Sequence, residues 1–194
     1  MTVFEKALTF ATKKHEGQLR KRNGIPYILH PCEAAAIAST ITDDPEILAA
    51  VMLHDILEDT NTAPEEIERE FGERIAHLVM EETENAYDSL SPEESWYTRK
   101  KESLAHLHQT TDKAVRIMWL SDKLSNIRSF FRLHLEEGDE MWRHFHQKDK
   151  KLQEWYYREV VSEMDELSET LAYREYVWLV DIIFGGEHEN RTKG

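Results

Sequence analysis

A short acidic segment that contains one histidine is the part of the sequence best suited to chemistry. His54 and Asp55 are neighbours, Glu58 follows His54 by four positions, and Asp59 follows Asp55 by four. Adjacent residues on a helix are about 100° apart and residues four apart share a face, so these side chains would line one flank. Burying three carboxylates and an imidazole together is unfavourable unless something neutralises them, and a divalent cation would do so.

The simpler interpretation of this segment is an acidic helix end that protrudes into solvent. That interpretation places Glu58 and Asp59 near a helix C-terminus, where the helix dipole disfavours negative charge, so we favour a metal site. Two further ligands are available in the sequence. His30 directly precedes Pro31, which opens a predicted helix, and Asp122 lies inside a long predicted helix although Asp is a poor helix former.

The elements that position these residues are predicted to be helical throughout. Apolar residues recur at helical spacing, as in Phe4, Ala7, Leu8 and Ala11, and no segment shows the period-two alternation of a strand. The predicted helices span residues 4–17, 31–41, 46–57, 62–71 and 111–135, with others through 75–79, from 92 onward, at 149–170 and at 173–184. We therefore predict an all-α fold, a compact helical bundle in a single domain.

Composition and charge narrow the class of protein. The chain has 194 residues, of which 38 are acidic and 24 basic, so its formal net charge is −14. This length suits one domain, the 40% hydrophobic content excludes a disordered chain, and the charge argues against a long nucleic acid as partner. Residues 1–33 nevertheless carry a net charge of +3, and residues 43–94 carry −15. Such opposite blocks suit a metal site beside a phosphate, although uneven surface charge would look the same.

Signals for secretion and membrane insertion are missing from the sequence. Cys32 is the only cysteine, so neither an internal disulfide nor a CxxC zinc site can form. Glu5 and Lys6 interrupt what would be the apolar run of a signal peptide, and no segment reaches the roughly 20 apolar residues of a membrane-spanning helix. We therefore expect a cytoplasmic protein without a membrane partner. Aromatic residues such as Trp142 and Trp178 fit either core packing or contact with another subunit.

Several short motifs, taken together, resemble those of a known family. They occur in one order over residues 4–132 and are His15-Glu-Gly-Gln, Arg20-Lys21, Pro26-Tyr27-Ile-Leu-His30-Pro31, His54-Asp55-Ile-Leu-Glu58-Asp59-Thr60, Phe71-Gly72 and Leu120-Ser-Asp122-Lys-Leu-Ser-Asn126. They are similar to the motifs of the HD-domain phosphohydrolases, in particular the hydrolase half of Rel/SpoT homologues and the small alarmone hydrolases. The resemblance implies an HD-type core over residues 1–134, C-terminal helices over 135–186 packed on it, and a polar tail over 187–194.

The resemblance also implies roles for individual residues. The family's metal ligands, which usually hold Mn²⁺, correspond to His30, His54, Asp55 and Asp122. Its catalytic carboxylates, which position and activate the attacking water, correspond to Glu58 and Asp59. Its nucleotide contacts correspond to Arg20, Lys21 and Asn126. A donor set of two histidines and two aspartates suits Mn²⁺ chemically, with Fe²⁺ and Zn²⁺ as competitors.

The implied reaction is hydrolysis of the 3′-pyrophosphate of (p)ppGpp, the alarmone of the stringent response, to GDP or GTP and pyrophosphate. Only 72 residues follow Asp122, fewer than the synthetase domain of bifunctional relatives needs, so we expect hydrolysis alone. One alternative keeps the metal site and changes the substrate to (p)ppApp, pApp or NADPH. Another is a non-catalytic alarmone-binding module, which the presence of both Glu58 and Asp59 disfavours.

Three further residues are candidate substrate contacts. Ser125 stands where many relatives carry a larger residue beside the nucleotide base, so we expect it to bear on base preference. Lys151 and Tyr156 belong to a basic and aromatic segment, residues 148–158, that could close over the nucleotide. Core packing is the more common role of such an aromatic stripe.

Overall fold

The computed structural model describes residues 1–20, 24–84, 87 and 89–185. Within these ranges the chain forms helices, and the only β pairing is a single antiparallel bridge between Leu19 and Pro26. None of these helices is both long and apolar enough to cross a bilayer. The all-α prediction is confirmed, and the helices are α1 Val3–Lys14, α2 Leu29–Ala38, α3 Pro45–Leu53, α4 Ile56–Asp59, α5 Pro64–Phe71, α6 Glu73–Glu82, α7 Pro92–Gln109, α8 Lys113–Glu137, α9 Lys150–Ser162 and α10 Leu171–Phe184.

Helix α8 is the centre of the bundle. Its 25 residues are in contact with α2, α3, α6 and α10. Trp119, Leu120 and Leu124 are at most 1% exposed. Because neighbouring helices cover it on several sides, α8 is apolar around much of its circumference and not along one stripe only. Asp122, in the middle of this helix, is thereby carried into the interior and is only 4% exposed.

The predicted helix starts are close to those observed, with two corrections. Helix α7 begins with the reciprocal hydrogen bonds of a capping box between Ser91 and Glu94, as its sequence indicates. Helix α5 begins at Pro64 but has Ala63 at its N-cap, since the hydroxyl of Thr62 hydrogen-bonds to the hydroxyl of Thr60 instead. The capping function expected of residue 62 is therefore absent.

Helix α2 begins at Leu29, two residues before the predicted start at Pro31. Proline fits this third position because the first four N–H groups of a helix have no partner within it. The earlier start places His30 inside the first turn of α2, where its backbone N–H donates to the carbonyl of Tyr27 at 2.9 Å. A proline disfavours helical conformation in the residue before it, so Pro31 predicts an extended His30. The structure corrects this, because His30 lies within the first turn of α2.

The single helix predicted over residues 46–57 is wrong, because the structure divides it. Helix α3 ends at Leu53, His54 and Asp55 form a turn, and α4 begins at Ile56. The carbonyl of Val51 lies 2.8 Å from Nδ1 of His54 and 3.4 Å from its backbone N–H. This side-chain bond competes for the acceptor that a continuing helix would use, so the local sequence favours a turn at this point.

The C-terminal helices cover the end of α8. Helix α10 packs against α8, and α9 packs against α10. The predicted helix 149–170 is shorter than expected, since α9 ends at Ser162 and a 3₁₀ helix, Asp165–Leu167, follows. A second 3₁₀ helix, Gly138–His144, was not predicted, and it brings Trp142 against Phe184 with ring centroids 5.4 Å apart. The predicted polar tail lies outside the described residues.

Candidate active site

Four side-chain atoms from three separate parts of the chain converge beside α8. They are Nε2 of His30 on α2, Nε2 of His54 after α3, Oδ2 of Asp55 before α4 and Oδ1 of Asp122 in α8. The His30 nitrogen lies 3.2 Å from the His54 nitrogen, 3.0 Å from the Asp122 oxygen and 3.5 Å from the Asp55 oxygen. The His54 nitrogen lies 3.0 Å from Asp55 and 3.5 Å from Asp122. The structure thus brings together the four residues predicted as ligands.

This arrangement fits a divalent cation. Ligand atoms bonded at about 2.1 Å and about 90–110° apart around a cation lie about 3.0–3.4 Å from one another. The separations among His30, His54 and Asp122, which are 3.2, 3.0 and 3.5 Å, are close to this range. Two imidazole nitrogens and two carboxylate oxygens suit Mn²⁺, Fe²⁺ or Zn²⁺. His30, His54 and Asp122 are at most 4% exposed, so their ligand atoms face one another and not bulk water.

The carboxylates of Asp55 and Asp122 favour a positive charge within the cluster. Burial opposes the charged form of His54, yet the carboxylates of Asp55 and Asp122 together hold its pKa well above the ordinary value. Burial likewise opposes ionisation of Asp55, and the facing His54 outweighs it and lowers the pKa of that carboxyl. Protons on the histidine therefore supply the charge that a cation would supply, and cation binding would displace them.

His54, Asp55 and Asp122 are each bonded to a further group beside the cluster. Nδ1 of His54 lies 2.8 Å from the backbone carbonyl of Val51, so it donates and leaves Nε2 as the ligand atom. The hydroxyl of Tyr27 donates to Oδ2 of Asp55 at 2.7 Å. Asn126 donates to Oδ1 of Asp122 at 2.7 Å, and the ammonium of Lys123 pairs with the other oxygen of Asp122. These bonds hold the side chains in the converging orientation.

Glu58 and Asp59 lie on α4, where the turn at residues 54–55 directs them toward a solvent-filled cleft. Oε1 of Glu58 accepts the backbone N–H of Glu84 at 2.7 Å. Both side chains reach solvent, but the surrounding protein desolvates their carboxylates. This desolvation, together with the negative charge of Asp55, raises the pKa of Glu58 to about 7 and also raises the pKa of Asp59. A carboxylate with a pKa near neutrality can accept a proton from water. The cleft measures about 310 Å³ and is lined by Lys14, Gln18, Glu58, Asp59, Thr60 and Asn61.

Two of the predicted nucleotide contacts lie next to the ligands. The guanidinium of Arg20 lies 5.8 Å from the centre of the Tyr27 ring and donates to Ser129 at 3.3 Å. Asn126 is half-buried beside Asp122. Lys21, the neighbour of Arg20 in the predicted basic pair, lies outside the described residues.

The other three predicted substrate contacts are placed differently from what the sequence suggested. Ser125 is fully buried, and its hydroxyl lies 2.9 Å from Nδ1 of His30, so it contacts a ligand and offers no surface to a nucleotide base. Tyr156 is 2% exposed and packs edge-on against Trp96, which is the core-packing role of the aromatic stripe. Lys151 is exposed in the first turn of α9, and no contact joins it to the cluster in the described part of the chain.

One buried acid beside the site was missed in the sequence. Glu82 is 7% exposed, and neither of its carboxylate oxygens has a hydrogen-bond partner among the described residues. Burial, with the nearby charge of Asp122, raises its pKa to about 7, and the ammonium of Lys123 lies 3.7 Å away. The available signal was its position on α6, where it continues the apolar stripe of Leu78 and Val79.

A basic pair on α7 borders the same region. Glu84 accepts from Lys100 and from Arg99, each at 2.5 Å, while its own backbone N–H is bonded to Glu58. Lys100 also lies 4.9 Å from the centre of the Tyr156 ring. Glu84 therefore links the acidic wall of the cleft to the positive charges of α7.

Comparison with known proteins identifies a matching family model and several similar proteins. The family model described as "HD domain" matches residues 7–148. A guanosine-3′,5′-bis(diphosphate) 3′-pyrophosphohydrolase of Aquifex aeolicus is 32% identical over 91% of this chain, which spans only 22% of that relative's length. The protein of Xenopus tropicalis named guanosine-3′,5′-bis(diphosphate) 3′-pyrophosphohydrolase MESH1 is 40% identical over 65% of this chain, which covers 68% of that protein.

Solved structures show the same fold. A structure described as a metazoan ortholog of SpoT that hydrolyzes ppGpp has a TM-score of 0.74 and 23% identity, covering 95% of this chain and 97% of its own. A crystal structure of the protein lmo0812 from Listeria monocytogenes EGD-e has a TM-score of 0.70 and 28% identity, covering 81% of this chain and 99% of its own. The arrangement of helices around the cluster is therefore a known one.

Proposed function

Because this chain belongs to the HD-domain family, we propose that it hydrolyses the 3′-pyrophosphate of guanosine alarmones with the help of a bound divalent cation, Mn²⁺ by preference. The products would be pyrophosphate and GDP from ppGpp, or GTP from pppGpp. The observation that carries this proposal is the convergence of four ligand atoms next to two carboxylates whose pKa values are raised. The names of the Aquifex and Xenopus relatives support the choice of substrate.

The ligands in this proposal are His30, His54, Asp55 and Asp122. A cation held by them would supply Lewis acidity toward a phosphoryl oxygen and toward water. His30 and His54 are buried, whereas Glu58 and Asp59 line the cleft, so we expect the substrate to approach from the side of these two carboxylates.

Glu58 and Asp59 act on the attacking water in this proposal. The water oxygen bonds to the phosphorus attached to the ribose 3′-oxygen, and the bond between that phosphorus and the 3′-oxygen breaks. Glu58 accepts the proton of the water, and Asp59 orients the water for attack. The proton then passes to the departing 3′-oxygen, which becomes the 3′-hydroxyl of GDP or GTP. The backbone N–H of Glu84 fixes one oxygen of Glu58, so the other remains available for the proton.

Arg20 and Lys21 would neutralise phosphate oxygens of the substrate. A guanidinium binds phosphate through two parallel N–H donors. That of Arg20 lies 5.8 Å from the centre of the Tyr27 ring, whose hydroxyl donates to Asp55, so it lies near the Asp55 side of the site. Asn126 would contact the nucleotide from α8. Ser125 has no role in base selection in this proposal, since its hydroxyl faces His30.

Substrate and metal are tested together by incubating the protein with ppGpp, pppGpp, ppApp, pApp and NADPH, with Mn²⁺ and again with a chelator. We expect release of pyrophosphate and GDP or GTP from the guanosine alarmones in the presence of Mn²⁺ only, measured by chromatography. Faster turnover of an adenosine alarmone or of NADPH would identify that compound as the substrate instead. Binding of ppGpp without turnover of any compound would indicate the non-catalytic module.

Two variants separate metal binding from catalysis. Asp55→Ala should lose the cation and the activity together. Glu58→Ala should keep the cation, measured by the free Mn²⁺ signal in electron paramagnetic resonance, and lose hydrolysis. Glu68→Ala, which changes an exposed glutamate of α5 outside the cleft, is the matched control and should retain both. Normal turnover of ppGpp by Glu58→Ala and Asp59→Ala would overturn the mechanism.

A further inference from the structure

The two histidine ligands are held in different ways. Nδ1 of His54 faces a backbone carbonyl, that of Val51, which can only accept a hydrogen bond. Nδ1 of His30 faces the hydroxyl of Ser125 at 2.9 Å, and a hydroxyl can either donate or accept. The position of the His30 proton, and therefore which nitrogen is free for the cation, depends on where Ser125 directs its own hydrogen.

A second contact decides that direction. The hydroxyl of Ser125 lies 3.0 Å from Oε2 of Glu33 on α2, and it donates to that carboxylate. A carboxylate has no hydrogen to give, and a serine hydroxyl has only one. Since that hydrogen goes to Glu33, the oxygen of Ser125 must accept from His30, which therefore carries its proton on Nδ1.

The charge of Glu33 is held in turn by the C-terminal half of the chain. The guanidinium of Arg128 lies 3.4 Å from Oε1 of Glu33. The same guanidinium makes two parallel hydrogen bonds of 2.6 Å to Glu175 on α10. A chain of hydrogen bonds and ion pairs therefore runs from α10 through α8 and α2 to His30.

We propose that Ser125 is a positioning residue for the metal site, which fixes His30 in the tautomer with hydrogen on Nδ1 and so directs the Nε2 lone pair at the cation. Glu33 sets the direction of the Ser125 hydroxyl, and Arg128 with Glu175 keeps Glu33 in place. The inference deepens the proposed function, because it concerns the same metal site. It also assigns the C-terminal helix α10 a part in supporting that site.

The first test is the affinity for Mn²⁺ without substrate, measured by titration with detection of free Mn²⁺ by electron paramagnetic resonance. Groups that orient a ligand typically change metal affinity about 10–100-fold, and we expect a loss in that range for Ser125→Ala. Ser121→Ala is the matched control, since Ser121 is equally buried one turn earlier on α8 and, among the described residues, its hydroxyl bonds only to the carbonyl of Ile117. That variant should bind Mn²⁺ like the parent protein.

A variant of Glu33 tests the direction of the hydroxyl while Ser125 stays in place. Glu33→Leu frees the Ser125 hydrogen to turn toward Nδ1, so Mn²⁺ affinity should fall as in Ser125→Ala. Glu33→Gln keeps an oxygen acceptor and should lose less. Glu33 has 28% of its side chain exposed, so these changes do not open a buried cavity.

The tautomer itself can be observed by nitrogen NMR of the histidine side chains in the Zn²⁺-loaded protein. We expect the hydrogen of His30 on Nδ1 in the parent and in Ser121→Ala, and an altered signal in Ser125→Ala and Glu33→Leu. Equal Mn²⁺ affinity in Ser125→Ala and Ser121→Ala, with an unchanged His30 signal, would overturn the proposal. Because neither measurement involves substrate, failure of ppGpp hydrolysis would count against the proposed function alone.

Discussion

At the scale of single residues, Glu58 has the properties required of a general base. One of its oxygens is fixed by a backbone N–H, and its pKa is raised to about 7. A base acts in its ionised form, so activity should rise with pH and then level off. A cation bound beside Glu58 also favours the ionised form, so we expect the rise to end at or below this value.

Glu58→Gln tests this role, because glutamine keeps the shape of the glutamate side chain and cannot ionise. We expect hydrolysis to fall by about 10²–10⁴-fold and the rise near neutral pH to disappear, because general base catalysis contributes a factor of that size. The measurement is kcat/KM against pH at saturating Mn²⁺, with Glu68→Gln as control. An unchanged pH profile in Glu58→Gln would assign the base to another group.

Glu82 leads to a prediction about stability. Its pKa rises from the ordinary 4.5 to about 7 in the folded protein, so folding retains a proton that the unfolded chain releases. The folded state is therefore destabilised progressively as pH rises from about 4.5 to about 7, by on the order of 3 kcal/mol at the upper end.

Glu82→Gln removes this penalty. In chelated protein we expect its free energy of unfolding to exceed that of the parent by about 3 kcal/mol at pH 8, with little difference near pH 5. Urea denaturation at the two pH values measures it, and Glu68→Gln, which changes an exposed glutamate of α5, is the control. A constant difference at both pH values would show that Glu82 does not titrate as described.

The predictable residues and the missed ones differ in a physical way. His54 and Asp55 could be found because their spacing lies within one short segment. The bonds of Ser125 with His30 and Glu33 could not, since they depend on how α2 packs against α8. Glu82 was missed because, in a single sequence, a buried glutamate that continues an apolar stripe cannot be distinguished from an exposed glutamate that ends it.

At the scale of elements, the turn between α3 and α4 determines the form of the site. Apolar residues continue through Leu53 and Ile56, so periodicity predicts one helix across this position. The bond from His54 to the Val51 carbonyl is a property of one side chain and is invisible to periodicity. Long, strongly patterned helices such as α8 were predictable to within about two residues, whereas this turn and the 3₁₀ helix at Gly138–His144 were not.

The joint between α5 and α6 depends on one glycine. Gly72 has φ +90° and ψ 165°, a conformation that other residues avoid. A Cβ at this position would meet no atom within 4 Å, so any effect of Gly72→Ala comes from the backbone alone. We expect a loss of about 1–3 kcal/mol.

The loss in Gly72→Ala is measured as a lower urea midpoint with an unchanged slope of the transition. Glu73→Ala, one position on, alters an exposed helical residue and should stay within about 0.5 kcal/mol of the parent. Equal stability of Gly72→Ala and the parent would mean that the chain reaches the same joint with another backbone conformation.

At the scale of the whole molecule, a cation in the site would connect elements that are far apart in the sequence. Its ligands lie on α2, on the turn after α3 and on α8, so unfolding any of these would release it. Binding to the folded state alone stabilises it by about 2.7 kcal/mol when the free cation is at 100 times its Kd.

Removal of the cation should therefore lower Tm by roughly 5–10 °C, given about 2–4 °C per kcal/mol for a chain of this size. Differential scanning calorimetry with Mn²⁺ and with a chelator measures the shift. Asp55→Ala should show no difference between the two conditions. A shift of equal size in that variant would mean that the cation stabilises the protein elsewhere.

The order in which the ligands are synthesised has a consequence for which metal is taken up. His30 and Asp122 are 92 positions apart, so a growing chain presents the His54-Asp55 pair well before the helix that completes the cluster. In an unfolded segment, the intrinsic affinity of the side chains selects the ion. Such side chains bind copper and zinc more tightly than manganese. The cation would be enclosed only after α8 packs against the other helices and brings Asp122 into the cluster. From that point the geometry of the complete site would determine which metal ion binds.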